Sequence, residues 1–214
     1  MAMTKVKICG LSTAPAVAAA LAGGADFLGF MFFAASPRNI APEAAERLAQ
    51  PARGLARIVA VTVDPSDELV DRLMAVLRPD LIQLHGRESP GRAREIAQRT
   101  GAGVIKAVGV EGAADLVAAR DCETSAEHLM FDAKAPAAAE RPGGLGEAFD
   151  WALLAGQRFA RPWFLSGGLN PWNVADALAA SGAPMVDVSS GVERGPGLKD
   201  PALIQAFLEA VRRA

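Results

Sequence analysis

Val6-Lys7-Ile8-Cys9-Gly10, a short and mostly apolar run near the start of this 214-residue chain, is followed by an alanine-rich stretch from Pro15 to Ala22. The first stretch has the length and the β-branched content of a buried strand, and the second has the composition of a helix. A cysteine and a glycine stand where the strand ends. The sequence therefore begins with one strand and one helix, and this pattern recurs to its end.

Eight such units can be recognised along the chain. Apolar runs predict strands at Val6 to Cys9, Phe27 to Phe32, Ile58 to Val63, Leu81 to Leu84, Val104 to Val108, Leu129 to Asp132, Trp163 to Ser166 and Met185 to Val188. Helical spacing predicts helices at Pro15 to Ala22, Pro42 to Ala49, Asp67 to Leu77, Gly91 to Arg99, Ala113 to Ala119, Ala148 to Leu154, Trp172 to Ala180 and Pro201 to Arg212. Proline follows Ser89, Asn170 and Asp200, which suits the unpaired N–H groups of a first helical turn.

The pattern predicts an α/β protein. Strands rich in Val, Ile, Leu and Phe with little polar alternation are typical of a sheet that is buried on both faces. Eight strand-helix units close most simply into a parallel eight-stranded (β/α)8 TIM barrel, whose lower size limit is about 200 residues. We therefore expect residues 1–214 to form a single barrel domain. An open doubly wound sheet is the structural alternative.

Composition limits the partners and the compartment. Hydrophobic residues make up 51% of the chain and charged residues 21%, as in a well-packed globular protein. The net charge of −2 offers no positive field to nucleic acid or membrane, and no apolar run approaches the about 20 residues of a membrane span. Two cysteines build no disulfide framework, and no secretory signal is recognisable. We expect a cytoplasmic protein with a small-molecule partner.

Polar residues and glycines follow the predicted strands, at the edge where barrel enzymes carry their active sites. Five strands end in Cys9-Gly10, Gln83-Leu84-His85-Gly86, Phe131-Asp132, Ser166-Gly167-Gly168-Leu169 and Asp187-Val188-Ser189-Ser190-Gly191. Taken singly, such a cysteine is more often a core residue, and such an aspartate is more often a helix cap. Their concurrence favours an active site at this edge.

The last two of these segments are interpreted as a phosphate cradle, formed by Gly167, Gly168, Ser189, Ser190 and Gly191. Glycines let the backbone approach a ligand closely, and the serines add hydroxyl and N–H donors at the start of a short extra helix. Barrels commonly bind phosphate in the loops after strands seven and eight. The alternative is that these glycines only form tight turns.

Taken together, the motifs resemble those of the phosphoribosylanthranilate isomerase family. Each motif alone is weak, but their order and spacing are specific from the first strand to the last helix. The matching segments are Lys7-Ile8-Cys9-Gly10, Ala25-Asp26-Phe27-Leu28-Gly29-Phe30, Ser36-Pro37-Arg38, Gln83-Leu84-His85-Gly86, Phe131-Asp132, Gly143-Gly144, Phe149-Asp150-Trp151, Gly167-Gly168-Leu169-Asn170, Asn173-Val174, Asp187-Val188-Ser189-Ser190-Gly191-Val192-Glu193, Pro196-Gly197 and Lys199-Asp200.

The resemblance implies an Amadori rearrangement in L-tryptophan biosynthesis, in which N-(5-phosphoribosyl)anthranilate becomes 1-(2-carboxyphenylamino)-1-deoxyribulose 5-phosphate. In the family's pattern Cys9 is the general base and Asp132 is the general acid, and no cofactor is required. An acid that works near neutral pH needs an apolar setting that raises its pKa, and the apolar run from Leu129 to Phe131 predicts one. His85 and His128 form no metal-ligand pattern, so no metal site is expected.

Three further side chains have open roles. Lys7 faces the same side of the strand as Cys9, and it either lowers the pKa of that thiol or pairs with a buried carboxylate. Arg38 is predicted to bind the anthranilate carboxylate through its planar guanidinium, and the alternative is a solvated loop arginine. His85 either lines the pocket or satisfies a neighbouring backbone group, and Cys122 is interpreted as structural or incidental.

The longest break between elements, residues 133–147, predicts a lid with Gly143, Gly144 and Gly146 as hinges. Leu145 stands where the family usually carries Thr or Ser, which removes a hydroxyl from this loop. The alanine-rich outer helices are compatible with a monomer or a homodimer.

Two other functions are alternatives at this stage. A related phosphate-binding barrel enzyme with a different sugar substrate would carry a second carboxylate at the end of strand one, where this chain has Cys9. A non-catalytic ligand-binding barrel would keep the phosphate loops and tolerate the loss of Cys9 or Asp132, and both residues are present.

Overall fold

Eight parallel strands form a closed barrel in the computed structural model, which describes residues 3–134 and 148–214. The strands are β1 (Lys5–Cys9), β2 (Phe27–Phe32), β3 (Arg57–Thr62), β4 (Leu81–Leu84), β5 (Gly103–Val110), β6 (His128–Ala133), β7 (Trp163–Leu165) and β8 (Met185–Val188). Each strand pairs with the next along the chain, and β8 pairs with β1 through Val186 and Val6. This last pairing closes the sheet, so the predicted barrel is confirmed and the open sheet is wrong.

Within the described residues, seven α-helices surround the barrel. They are α1 (Ala14–Ala22), α2 (Pro42–Ala49), α3 (Asp67–Val76), α4 (Pro90–Thr100), α5 (Ala113–Ala119), α6 (Val174–Ser181) and α7 (Pro201–Arg213). The predicted caps of α4 and α7 are in place, since Ser89 accepts the N–H of Arg92 at 3.2 Å and Asp200 accepts that of Ala202 at 2.8 Å. Among the helices that the structure describes, none is long and apolar enough to cross a membrane.

The helix predicted at Ala148 to Leu154 is wrong, because the chain there forms only a short 3-10 turn over Trp151–Leu154. Asp150 accepts the N–H of Ala152 at 3.0 Å and so fixes the start of the turn. Gly156, with φ +69, follows immediately after the extended Ala155 and ends it. These two signals leave room for a single turn. The predicted lid and its hinge glycines, with Leu145, lie outside the described residues.

A short antiparallel hairpin, which the sequence did not predict, follows β8. It consists of β9 (Glu193–Gly195) and β10 (Leu198–Lys199). A 3-10 turn at Ser190–Val192 links β8 to this hairpin and corresponds to the short extra helix expected there. The hairpin folds back toward the loop after β2, where the carbonyl of Pro37 leaves no room for a side chain on Gly197.

Two apolar layers hold the barrel together, because successive strand residues point to opposite sides of the sheet. The larger layer lies between sheet and helices, and the smaller layer fills the barrel interior with side chains that include Phe27, Val59, Leu81, Met130 and Phe164. The interior becomes polar toward the carboxyl ends of the strands. The functional residues are therefore presented by a packed and rigid core.

His128, the first residue of β6, lies inside the barrel among aromatic rings. Its ring centroid is 6.0 Å from that of Phe27 and 5.5 Å from that of Phe164. Burial lowers the pKa of His128, and the positive charges of Arg57 and Lys5 act in the same direction, against the opposing effect of Glu127. The folded barrel therefore favours the neutral imidazole.

We expect this histidine to make the barrel less stable in mild acid. Below about pH 6.5 the unfolded chain binds a proton that folded His128 resists, so the free energy of unfolding falls as the pH decreases. His128→Leu removes this contribution and should lose less stability between about pH 7.5 and about pH 5.5. Urea unfolding at both pH values measures the difference, and equal losses in the two proteins would contradict the prediction.

Candidate active site

A buried lysine and aspartate form the floor of the site. Lys7 on β1 donates to Asp187 on β8 at 2.7 Å, and the two side chains are 0% and 5% exposed. The second carboxylate oxygen of Asp187 accepts the hydroxyl of Ser166 at 3.2 Å. Lys7 also lies beside Cys9, and its positive charge lowers the pKa of that thiol. The pairing with a buried carboxylate is therefore observed as a contact, and the influence on Cys9 is one of charge.

Cys9 projects into the barrel beside this ion pair. Its register partner on β2 is Gly29, and a β-carbon on that glycine would lie 3.1 Å from the sulfur and 3.2 Å from Cε of Lys7. A residue larger than glycine would press on both side chains. Gly29 thus leaves the space in which the thiol and the ammonium group meet.

The charges around Cys9 act in opposite directions. Burial raises the pKa of the thiol and outweighs the lowering by Lys7 and Lys199, while the negative charge of Asp187 adds to the increase. Burial alone would lower the pKa of Lys7, but Asp187 and Cys9 reverse the effect and raise it. The two shifts favour the charged form of Lys7 and the protonated form of Cys9.

Asp132, at the carboxyl end of β6, lies beside His85. Its Oδ2 is 3.2 Å from Nε2 of His85, and its Oδ1 accepts the N–H of Ala133 at 2.9 Å. A side chain at Gly167 would lie 3.0 Å from Oδ1, and that glycine has φ +87. His85 thus contacts a candidate catalytic group, and among the described residues its side chain makes no hydrogen bond to a backbone group.

The apolar setting expected for Asp132 from its neighbours in sequence is only partly present. Leu129 and Phe131 belong to the layer between sheet and helices, and only Met130 points into the barrel. Asp132 is 6% exposed, and its contacts in the structure are polar ones, to His85 and to the backbone of Ala133. Adjacent residues of a strand point to opposite faces of the sheet, so the apolar run from Leu129 to Phe131 does not surround the Asp132 carboxyl group.

Arg38 is not a solvated loop arginine, since it is 4% exposed. Its Nε and Nη2 donate to the two carboxylate oxygens of Glu193 at 2.7 and 2.9 Å. The methylene stem passes over Gly10, where a β-carbon would lie 2.5 Å from Cδ. Within the described chain no hydrogen-bond acceptor is found for Nη1, so one edge of the guanidinium remains available to a second carboxylate.

Glu193 and Lys199 were not selected from the sequence as site residues. Glu193 also binds Lys199 and accepts the N–H of Gly197 at 3.1 Å, and Lys199 donates to the carbonyl of Ser189 at 3.0 Å. Burial lowers the pKa of Lys199 despite its pairing with Glu193. The only sequence signal for this network is the charged, glycine-containing stretch after β8, and it does not reveal Arg38 as the partner.

The loops after β7 and β8 lie against each other, as a shared ligand site requires. Gly191 packs directly on the carbonyl of Leu169, and Asn173 donates to the carbonyl of Gly168 at 2.9 Å. Gly167 and Gly168 have φ +87 and +65, which only glycine adopts readily. In residues 3–134 and 148–214, the N–H groups of Gly168, Ser190 and Gly191 meet no backbone acceptor.

The arrangement offers one thiol and one carboxyl group at a barrel mouth that also contains a half-satisfied arginine and two loops with free N–H groups. Such a site can bind a ligand that has two anionic groups. It can also transfer protons between that ligand and its own side chains. Across the part of the chain with described coordinates, no three His, Cys, Asp or Glu side chains are grouped to hold a metal ion.

Comparison with known sequences points in one direction. A family model described as N-(5'phosphoribosyl)anthranilate (PRA) isomerase matches residues 6–210. The chain is 64% identical to the N-(5'-phosphoribosyl)anthranilate isomerase of a Caulobacter species over 99% of its own length and 100% of that protein. It is 63% identical to the enzyme of Caulobacter vibrioides, over 97% of this chain and 95% of that one.

Solved structures agree. Phosphoribosyl anthranilate isomerase from Thermotoga maritima superposes with a TM-score of 0.88 at 36% identity, covering 99% of this chain and 100% of the other. A phosphoribosyl anthranilate isomerase in complex with reduced 1-(o-carboxyphenylamino)-1-deoxyribulose 5-phosphate superposes with a TM-score of 0.85 at 34% identity, with 99% and 100% coverage.

The contact between Gly167 and Asp132 predicts a cost for any side chain at this glycine. Gly167→Ala forces an L-residue into a left-handed conformation, at about 1–2 kcal/mol, and also presses on the Ala133 N–H and the Asp132 carboxyl. Gly156→Ala is the matched control, because Gly156 also has a positive φ but no atom within 4 Å of an added β-carbon. We expect urea unfolding to show a larger loss for Gly167→Ala, and equal losses would contradict the contact.

Proposed function

The chain belongs to the N-(5'-phosphoribosyl)anthranilate isomerase family, and we propose that Cys9 and Asp132 are the general base and the general acid of its reaction. It isomerises N-(5'-phosphoribosyl)anthranilate, an aminoaldose, to the corresponding aminoketose in tryptophan biosynthesis. The observation that supports the proposal is that both side chains lie at strand ends inside the barrel, where Asp132 contacts His85 and Cys9 lies beside the charged Lys7.

The rearrangement needs one proton donated and one removed. Protonation of the ribose ring oxygen by Asp132 opens the furanose ring and leaves an iminium ion. Removal of the C2 proton by Cys9 then gives an enolamine, which becomes the ketone by protonation at C1 and loss of the C2 hydroxyl proton. The net change is the movement of hydrogen within the substrate, so no oxidant or cofactor is required.

Lys7 supports the base in this scheme. A thiol must lose its proton before it can accept one from C2, and burial disfavours that loss. The Lys7 ammonium group opposes burial, and its own pairing with Asp187 keeps it charged. Lys199 contributes a second, weaker positive influence on the thiol.

Arg38 and the two loops are proposed to hold the ends of the substrate. The unpaired edge of the Arg38 guanidinium suits the anthranilate carboxylate, while Glu193 holds the other edge. Gly167, Gly168, Ser189, Ser190 and Gly191 are proposed to bind the 5'-phosphate with backbone N–H and hydroxyl groups. His85, which contacts Asp132, is proposed to line the substrate pocket.

The remaining expectations from the sequence belong to the same proposal. We infer that residues 1–214 act as one barrel domain in the cytoplasm, with a phosphorylated small molecule as ligand and without nucleic acid or membrane as partner. A monomer and a homodimer both fit it. A different sugar substrate and a non-catalytic role find no support in the family membership.

The assignment of acid and base predicts severe and separate losses of turnover. Cys9→Ala and Asp132→Asn each should lower kcat by about 10²–10⁴-fold, the usual contribution of one proton-transfer group. The decay of phosphoribosylanthranilate fluorescence, with freshly generated substrate, measures the rate. Cys122→Ala is the matched control and should turn over like the parent. Full activity in either site variant would refute the corresponding role.

The scheme also predicts the pH profile of the Lys7→Met variant. The parent's kcat/KM should still rise above about pH 8.5, because burial raises the pKa of Cys9 above that of an exposed thiol. Removing Lys7 deletes a cation that lowers this pKa and leaves Asp187 unpaired, so the alkaline limb should move to higher pH. Lys5→Met, at the exposed end of the same strand, is the control. An unchanged limb in Lys7→Met would leave Lys7 with a structural role only.

A further inference from the structure

Gln83 is a buried polar residue of the barrel interior that the mechanism does not yet use. It lies on β4 two residues before His85 and is 1% exposed. Its amide nitrogen is 2.9 Å from Nδ1 of His85 and 3.3 Å from Sδ of Met130. Its amide oxygen is buried and meets no hydrogen-bond donor among the residues that the structure describes. Gln83 therefore acts here only as a donor.

We propose that Gln83 is a positioning residue for the isomerisation. Its amide N–H holds His85 in the neutral tautomer that carries its proton on Nε2, and this N–H donates a hydrogen bond to Asp132. A donor facing Nδ1 requires a lone pair there, which places the proton of the neutral ring on Nε2. Nε2 is the atom that lies 3.2 Å from Oδ2 of Asp132. The catalytic consequence rests on the proposed function, and the tautomer itself does not.

Met130 sets the orientation of the Gln83 amide. The NH2 group has two hydrogens, and the geometry gives one to His85 and the other to the methionine sulfur, a weak acceptor. In the reverse orientation the amide oxygen would face both Nδ1 and the sulfur. That arrangement would put two acceptors together and would favour a proton on Nδ1. The methionine thus selects the orientation that keeps Nδ1 unprotonated.

Stability does not explain a glutamine at this position. A buried acceptor without a partner is destabilising, and an apolar side chain of similar size would avoid that cost. The surrounding interior is apolar, with Leu81 and Ile105 in the same layer. The benefit of Gln83 must therefore lie in its two donor contacts.

The tautomer matters because it decides whether Asp132 lies beside a neutral or a positively charged His85. Among the described residues Asp132 is the only carboxylate within 4 Å of a His85 ring nitrogen. A neutral imidazole gives Asp132 one hydrogen bond, whereas an imidazolium would add a full positive charge and stabilise the carboxylate over the acid. Lys106, on the neighbouring strand β5, is paired with Glu88 at 2.8 Å. Gln83 thus keeps a positive charge away from the group that must donate a proton.

The pair is held rigidly enough for this role. The backbone N–H of His85 donates to the carbonyl of Thr62 at 2.9 Å, and the hydroxyl of Thr62 donates to the carbonyl of Gln83 at 3.0 Å. Both residues are therefore fixed to the neighbouring strand β3. Substitutions at Gln83 should therefore act through the side chain and should not displace the segment after β4 that contains His85.

Nitrogen-15 NMR of the imidazole rings tests the tautomer directly. Long-range proton–nitrogen correlations distinguish the Nε2–H form, the Nδ1–H form and the imidazolium, and the chain has only two histidines. His128→Leu assigns the remaining signals to His85. We expect the Nε2–H form near pH 7 in the parent. An Nδ1–H form or an imidazolium in the parent would overturn the proposal without any variant.

Two variants link the tautomer to turnover. Gln83→Met keeps the size, removes the donor and should give mixed tautomers, with kcat lower by about 10- to 100-fold and KM nearly unchanged. In Gln83→Glu the carboxylate should accept a hydrogen bond from Nδ1–H and favour the imidazolium, and this variant should lose more kcat than Gln83→Met. Gln205→Met, which removes a side-chain hydrogen bond to Ala19 on the outer helices, is the control and should change neither readout.

Each outcome has one meaning. A retained Nε2–H signal in Gln83→Met, or a changed signal with unchanged kcat, would overturn the positioning role. If the parent fails to turn over phosphoribosylanthranilate, the proposed function fails instead, while the NMR result still decides the tautomer. If Gln83→Met does not fold, the parent spectrum and Gln83→Glu carry the test.

Discussion

The ion pair of Lys7 and Asp187 crosses the seam where β8 meets β1, and the two residues are register partners across it. A buried charge without its partner destabilises a protein by about 3–5 kcal/mol, so neither can be lost alone. The same pair fixes the charge next to Cys9 and, through Asp187, the hydroxyl of Ser166. Closure of the barrel therefore also sets the charge beside the proposed base, because β8 supplies the anion that pairs with Lys7 on β1.

Much of this architecture follows from local rules. Apolar runs are enough to predict the eight strands, because a strand buried on both faces leaves a continuous hydrophobic signal. The proline residues help to predict where helices begin between them. The same rules fail at Trp151–Leu154, where Asp150 and Gly156 confine a helical composition to one turn. They also miss the hairpin after β8, whose strands are only three and two residues long.

The site was predictable in its positions but not in its contacts. Cys9, Asp132 and the glycines after β7 could be found because barrel chemistry collects at strand ends. Arg38 and Glu193 are 155 residues apart, and no local pattern relates them. The Gln83 amide could not be interpreted either, since its meaning depends on Met130, which comes from another strand. Pairings of this kind arise only when the sheet closes and brings distant strand ends to one mouth.

The bidentate grip of Glu193 on Arg38 has a consequence for the entropy of ligand capture. A free arginine side chain loses about 2 kcal/mol of rotamer entropy when it is immobilised. Here that freedom disappears while the chain folds, so an arriving carboxylate meets a guanidinium that is already oriented. Under the role proposed for Arg38, affinity for the anionic ligand is therefore tied to the integrity of the small hairpin, and loosening the hairpin should weaken binding before it destabilises the barrel.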